Sequence, residues 1–195
     1  MQSFWVRLTC PDDQRTGTYE GRITVCGQGW SKAFPLRVRV WDFAVPKKSP
    51  LPLAITFSPS VRNGIGPTPD NPGVAWRRHE AEWGDFLADY YITMDSLYHR
   101  GKDVHWDVLK RLEAQGRLGL FNLGYWVYPK KMDEKSLADW RRQAQEQFMP
   151  PYLKAKELGL LPHAYLYGCD EVKPEFFPNI RYALAELRKL FPGVP

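Results

Sequence analysis

The stretch of the chain best suited to chemistry is Tyr165-Leu166-Tyr167-Gly168-Cys169-Asp170-Glu171, where an apolar, strand-like run delivers two adjacent carboxylates ahead of a helix opened by Pro174. A carboxylic acid whose pKa is raised by enclosure can hand a proton to a leaving group, while an ionised neighbour orients a substrate through a hydrogen bond. Glu171 is read as that acid and Asp170 as the orienting carboxylate. Side chains of neighbouring strand residues diverge, so both reach one ligand only if the backbone twists at the rim. The competing explanation is that two acidic residues merely favour the positive end of the following helix.

A second apolar run ends in Asn122, Tyr125 and Trp126, and Tyr167 ends the first, so aromatic surface and carboxylates are expected on one rim. That combination suits a carbohydrate, whose C–H faces lie on flat rings while its hydroxyls meet a few placed polar groups. Asn122, Tyr125, Trp126 and Tyr167 are therefore the candidate substrate-binding residues. Trp83, Trp106 and Trp140 recur at helical spacing and read as core, Asp95 as a turn or helix cap, and Lys130-Lys131 as a solvated loop end. His99, His105 and His163 read as ordinary polar contacts; with His79 and the scattered Cys10, Cys26 and Cys169 they match no zinc spacing. No metal and no cofactor is expected, since phosphate-cradling glycine loops, Gly-x-Ser-x-Gly and His-Glu-x-x-His are also missing. Three cysteines make no disulfide framework, although a Cys10 to Cys26 bridge between neighbouring strands stays open.

The elements that must position these residues fall into two compositions. Residues 1 to 45 alternate with period two: Tyr19, Ile23 and Val25 oppose Thr18, Glu20, Arg22 and Thr24, and Phe34, Leu36, Val38 and Val40 oppose Arg37 and Arg39. With Phe4 to Thr9 as a further strand, this predicts three antiparallel strands joined at Asp12-Asp13 with Gly17 and at Cys26-Gly27-Gln28-Gly29. Pro46, Pro50 and Pro52 then form a stiff joint. Beyond it strands and helices alternate: strand Leu53 to Phe57, helix Trp76 to Asp89 with Trp83, Phe86, Leu87 and Tyr90 on one face, and a strand near Tyr91 to Met94. A helix capped by Asp103 carries Val108, Leu109 and Leu112 and closes at Gly116; strand Leu118 to Leu123 follows. A long helix from about Glu134 to Leu158 should kink or break at Pro150-Pro151, strand His163 to Gly168 comes next, and the last helix buries Ile180, Ala183, Leu184 and Leu187. Four such units predict a parallel sheet, either half of an eight-stranded barrel or a small doubly wound sheet. Long loops after the strands place function at their carboxyl ends in both cases.

The 195 residues carry 27 basic and 22 acidic side chains, a balance of +5 dispersed without a basic run, which speaks against nucleic acid as a partner. No window approaches the ~18 apolar residues of a membrane-spanning helix, so no membrane span is expected.

The segments Gly17-Thr18-Tyr19-Glu20-Gly21-Arg22-Ile23-Thr24-Val25, Val38-Arg39-Val40-Trp41-Asp42-Phe43-Ala44-Val45-Pro46 and Tyr165-Leu166-Tyr167-Gly168-Cys169-Asp170-Glu171, in that order, resemble glycoside hydrolase family 123 and its bacterial relatives of unassigned function. The resemblance implies a β-sandwich followed by a (β/α)8 TIM barrel and exo-hydrolysis of β-linked N-acetylgalactosamine with retention. The family's adjacent Asp-Glu pair falls on Asp170 and Glu171. It implies a substrate-assisted route in which the acetamido oxygen, held through Asp170, attacks C1 while Glu171 protonates the leaving oxygen. On this reading residues 1–46 are the C-terminal strands of a β-sandwich and residues 47–195 the first four βα units of a catalytic barrel. The chain is then a fragment, inactive alone, of a secreted or periplasmic parent acting on a carbohydrate or glycoconjugate. Two rival readings are a non-catalytic carbohydrate-binding or cell-surface protein on the same scaffold, and a self-contained flavodoxin-like domain that leaves the first strands unexplained.

Overall fold

The alternation between Gly17 and Val40 forms a hairpin in the computed structural model, which describes residues 3–51, 53–57, 80–102 and 104–195. Strands β1 (Gly17–Gly27) and β2 (Trp30–Val40) pair antiparallel about the Gln28-Gly29 turn. Their register sets Tyr19 opposite Val38, Gly21 opposite Leu36 and Ile23 opposite Phe34, which puts the apolar residues on one face. Glu20 faces Arg37 on the other and pairs with it at 2.8 Å, an exposed contact worth little by itself. Only Ile23, Val25, Leu36, Val38 and Val40 become half-buried. The hairpin belongs to a compact unit, Met1–Pro46, separate from a second unit, Lys47–Pro195.

In the second unit, helices α1 (Glu80–Ala88), α2 (Trp106–Ala114), α3 (Glu134–Glu157) and α4 (Phe177–Leu190) accompany strands β3 (Phe121–Trp126) and β4 (Ala164–Gly168). Helix α2 buries Val108, Leu109 and Leu112, one stripe at helical spacing, and closes where the Arg117 N–H donates to the Leu112 carbonyl at 2.9 Å. Helix α3 starts at Asp133, whose side chain accepts the Ser136 N–H at 2.9 Å; that bond holds the Asp133 carboxyl below its usual range. Its stripe of Trp140, Ala144, Phe148, Tyr152 and Ala155 is buried, with Phe121 and Leu123 of β3 and Ala183 and Leu187 of α4 in the same core. The helix runs on through Pro150 and Pro151 where a kink or break is expected. Neither proline has an N–H, so the carbonyls of Glu146 and Gln147 lose their intrahelical donors.

The expected sandwich end and half-barrel are overturned, because the described residues form a small α/β structure with two sheets of two strands each. Phe4–Thr9 is not a strand, and among the described residues of the unit Met1–Pro46 the hairpin is the only sheet. Among the described residues only β3 and β4 pair in parallel, Phe121 beside Ala164 and Trp126 beside Gly168. The segments around Leu53 to Phe57 and Tyr91 to Met94 run without strand pairing, for a local reason. A backbone bond joins them, Phe57 N–H to the Asp95 carbonyl at 2.7 Å, and the Asn122 N–H of β3 is taken by the Asp95 carboxylate, also at 2.7 Å. Side-chain oxygens replace a ladder of carbonyls, and Tyr91 bends the chain with φ 63° just before. Residue 103, the expected helix cap, the loop from residue 58 to 75, and the start of the helix at residue 76 lie outside the described residues.

Candidate active site

Strand β4 ends at Gly168, and the next three residues change direction sharply. Cys169 and Glu171 both have left-handed backbones, φ 63° and 50°, on either side of Asp170. Such a conformation costs a non-glycine residue about 1–2 kcal/mol, and it supplies the twist that two neighbouring side chains need to face one space. Asp170 and Glu171 line a single cavity of about 350 Å3 together with Tyr125, Tyr128, Lys130 and Phe176. Neither carboxylate caps α4: the residue at its cap is Phe176, and no side chain accepts from its first amides.

Asp170 is held by a residue that sequence reasoning missed. The Tyr98 hydroxyl donates to Asp170 Oδ2 at 2.9 Å, and this bond, with the negative charge behind it, pushes the Tyr98 pKa up to about 12. The ring of Tyr98 lies 5.5 Å from that of Tyr125 and 5.8 Å from that of Tyr167, and the latter two are 5.9 Å apart. Tyr125 and Tyr167 are register partners across β3 and β4. Tyr98 reaches them from the loop after the Ile92 to Asp95 segment; the signal for it was its position three residues beyond Asp95, in a long loop opening on the same rim.

Asn122 and Trp126 lie elsewhere. Asn122 is 1% exposed and uses its whole amide inside the protein: Nδ2 donates to the carbonyls of Ser96 and Leu97 at 3.1 and 3.0 Å, and Oδ1 accepts the N–H groups of Gly124 and Tyr167 at 3.0 and 3.1 Å. It ties the base of the Tyr98 loop to both strands. Trp126 is 6% exposed, its ring against Gly168, where a Cβ would collide with it. Tyr125 and Tyr167 are half-buried and Asp170 and Glu171 exposed, so these four, joined by Tyr98, are the residues brought to the rim.

Beneath them lies a buried polar network. Asp95 Oδ2 accepts from the Asn122 N–H and, at 2.9 Å, from the Tyr165 hydroxyl, while Oδ1 accepts the Ser96 N–H at 2.7 Å. Burial pushes the Asp95 pKa up to about 6 in spite of those three donors, and burial with the nearby carboxylate raises that of Tyr165. The Gly101 N–H donates to His99 Nδ1 at 3.0 Å, which leaves Nε2 to donate to the Asn122 carbonyl at 3.0 Å. The His99 carbonyl accepts the Tyr125 N–H at 2.6 Å. His163 pairs with Glu113 at 3.1 Å.

The far wall of the cavity is fixed from the helices. Trp140 Nε1 donates to the Val127 carbonyl at 2.6 Å, Gln147 Nε2 to that of Tyr125 at 3.1 Å, and Asn179 Nδ2 to that of Pro129 at 2.7 Å. Cys10, Cys26 and Cys169 are free thiols, and burial pushes the Cys169 pKa up to about 11, which keeps it unreactive. Among the described residues no group of three or more His, Cys, Asp or Glu side chains is placed to hold a metal, and no helix is long and apolar enough to cross a membrane. The chain matches none of the known protein families, curated proteins or solved structures with which it was compared.

Proposed function

We propose that the chain acts on a β-linked N-acetylhexosaminide, N-acetylgalactosamine by the resemblance in its motifs, through Asp170 and Glu171. The observation that carries this reading is the Tyr98 to Asp170 hydrogen bond beside the rings of Tyr125 and Tyr167. It engages one carboxylate oxygen and leaves the other to accept the acetamido N–H of a sugar laid along the tyrosines. The acetamido oxygen then attacks C1, the bond from C1 to the leaving oxygen breaks, and the Glu171 carboxyl proton passes to that oxygen. In the second half the Glu171 carboxylate takes a proton from water as the water opens the oxazoline at C1, so the configuration is retained. No protein nucleophile is required, which suits two carboxylates supplied by one strand end.

The exposure of both carboxylates among the described residues favours a second reading, a carbohydrate-binding site without catalysis, since a general acid draws its raised pKa from enclosure. Hydrolysis of aryl β-N-acetylgalactosaminides of graded leaving-group acidity separates the two. Under the catalytic reading Glu171→Gln loses about 10² to 10⁴ in rate on poor leaving groups and much less on acidic ones. Asp170→Asn loses rate across the series, because every member needs the acetamido attack. A parent chain that binds the sugar without turnover establishes the binding reading, and parental rates in both variants of an active chain would remove the pair from the mechanism.

A further inference from the structure

Two ammonium groups share the cavity with the carboxylates. Lys130 and Lys173 line it alongside Asp170 and Glu171, and among the described residues no carboxylate pairs with either lysine. Lys130 is nevertheless held in place. Its Nζ donates to the Tyr128 hydroxyl at 2.9 Å and sits 4.1 Å from the centre of the Tyr128 ring and 5.2 Å from that of Phe176, two rings themselves 5.2 Å apart. A cation seated on aromatic faces keeps its charge available to a ligand while losing less side-chain freedom on binding than a free lysine. The Tyr128 and Phe176 platform is itself supported, because Asn179 of α4 donates to the carbonyl of Pro129 between the two lining residues. The charge of Lys130 also reaches the Cys169 thiol, next to Asp170.

A neutral amino sugar makes no use of two cations that lack a carboxylate partner among the described residues and share the same 350 Å3 as the residues that would process it. We infer that the sugar taken by this site carries an anionic oxygen substituent, a sulfate ester or a ring carboxylate, bound by Lys130 and Lys173 while its acetamido group meets Asp170. The inference rests on the carbohydrate reading of the site and names its substrate class. Charge-assisted N–H to oxygen bonds from two lysines, one of them pre-placed, supply the discrimination.

The test is calorimetric binding of the 195-residue chain to five probes: N-acetylgalactosamine, its 4-sulfate, its 6-sulfate, the corresponding uronic acid and inorganic sulfate. At least one anionic sugar should bind about tenfold more tightly than the neutral one, and the identity of that sugar separates ester from carboxylate. The advantage should shrink as ionic strength rises and fall severalfold in Lys130→Met and Lys173→Met, each checked for an unchanged melting temperature. Both lysines are exposed, so neither substitution opens the core. Equal binding of neutral and anionic sugars overturns the inference, as does an advantage that survives both substitutions. Inorganic sulfate binding as tightly as the best sugar also overturns it, marking a bare anion site. Absence of turnover with the anionic preference intact removes only the hydrolytic reading, whereas binding of none of the sugars removes both.

Discussion

Asp95 and Tyr165, seventy residues apart in the chain, meet inside the core with the tyrosine hydroxyl 2.9 Å from the carboxylate. Each is almost wholly buried; burial raises the cost of ionising both, the carboxylate adds to that cost for Tyr165, and the tyrosine hydroxyl partly offsets it for Asp95. The pair stands where a strand pairing is expected from sequence, so a proton-sensitive contact attaches the Ile92 to Asp95 segment to β3 and β4.

The stability of the chain should therefore carry a signature of Asp95. Its folded-state pKa of about 6 lies above the ordinary 3.8, so the folded chain holds the proton more tightly than the unfolded one. This contribution is fully present below 3.8 and is lost as pH rises through about 6, a change of about 3 kcal/mol. Denaturant unfolding of the parent and of Asp95→Asn across that window should show the parent losing stability relative to the variant as pH rises, with a constant difference above pH ~7. A constant difference throughout would show that Asp95 does not titrate there.

Tyr98 offers a direct reading of its bond to Asp170. In Asp170→Asn the charge behind that bond is gone, so the Tyr98 pKa should fall from about 12 towards 10.0, read by phenolate absorbance against a Tyr98→Phe control. An unmoved titration would show that the two side chains do not meet in solution.

The rim and the core should separate on truncation to alanine. Trp126→Ala should lower unfolding free energy by about 3–5 kcal/mol, as expected for a ring this deeply buried. Tyr125→Ala should cost much less stability and weaken sugar binding instead. Similar stability losses in both would place Tyr125 in the core.

Gly101 cannot carry a side chain. Its φ is 78°, and a Cβ there would stand 2.9 Å from the Gln147 carbonyl oxygen and 3.3 Å from that of Leu123. Gly101→Ala should cost about 2 kcal/mol or more and, by moving the loop that holds Tyr98, weaken sugar binding as well. A stability loss with binding unchanged would detach the loop from the site.

Much of this architecture is legible in residue patterns, and the failures share a physical cause. Alternation locates the hairpin because Ile23, Phe34, Leu36 and Val38 share a face whichever layer covers it. Helical spacing locates α2, α3 and α4 because Leu109, Phe148 and Leu187 reach the core. The same logic fails for Phe86 and Tyr90, whose tilted rings meet at 5.2 Å yet stay 52% and 59% exposed. An apolar run such as Leu53 to Phe57 satisfies a strand pattern but does not say what will bond to it, and here the Phe57 N–H reaches the Asp95 carbonyl and Thr56 Oγ1 accepts the Leu97 N–H without a strand ladder among the described residues. Asp170 and Glu171 are legible as a rim pair because an apolar, strand-like run ends just before them, and both line one cavity there. Tyr98 and the carbonyl-binding role of Asn122 depend on contacts tens of residues apart that no local pattern encodes.

The two prolines inside α3 have a consequence for hydrogen exchange. Pro150 and Pro151 contribute no amide hydrogens, so the longest helix among the described residues reports on itself in two stretches separated by a silent gap. The gap coincides with the carbonyl of Gln147 against which Gly101 packs. Exchange rates on its N-terminal side, over Glu134 to Met149, and on its C-terminal side, over Tyr152 to Glu157, are thus two independent clocks for one element. Any sugar that tightens the Tyr98 loop should slow them by different amounts.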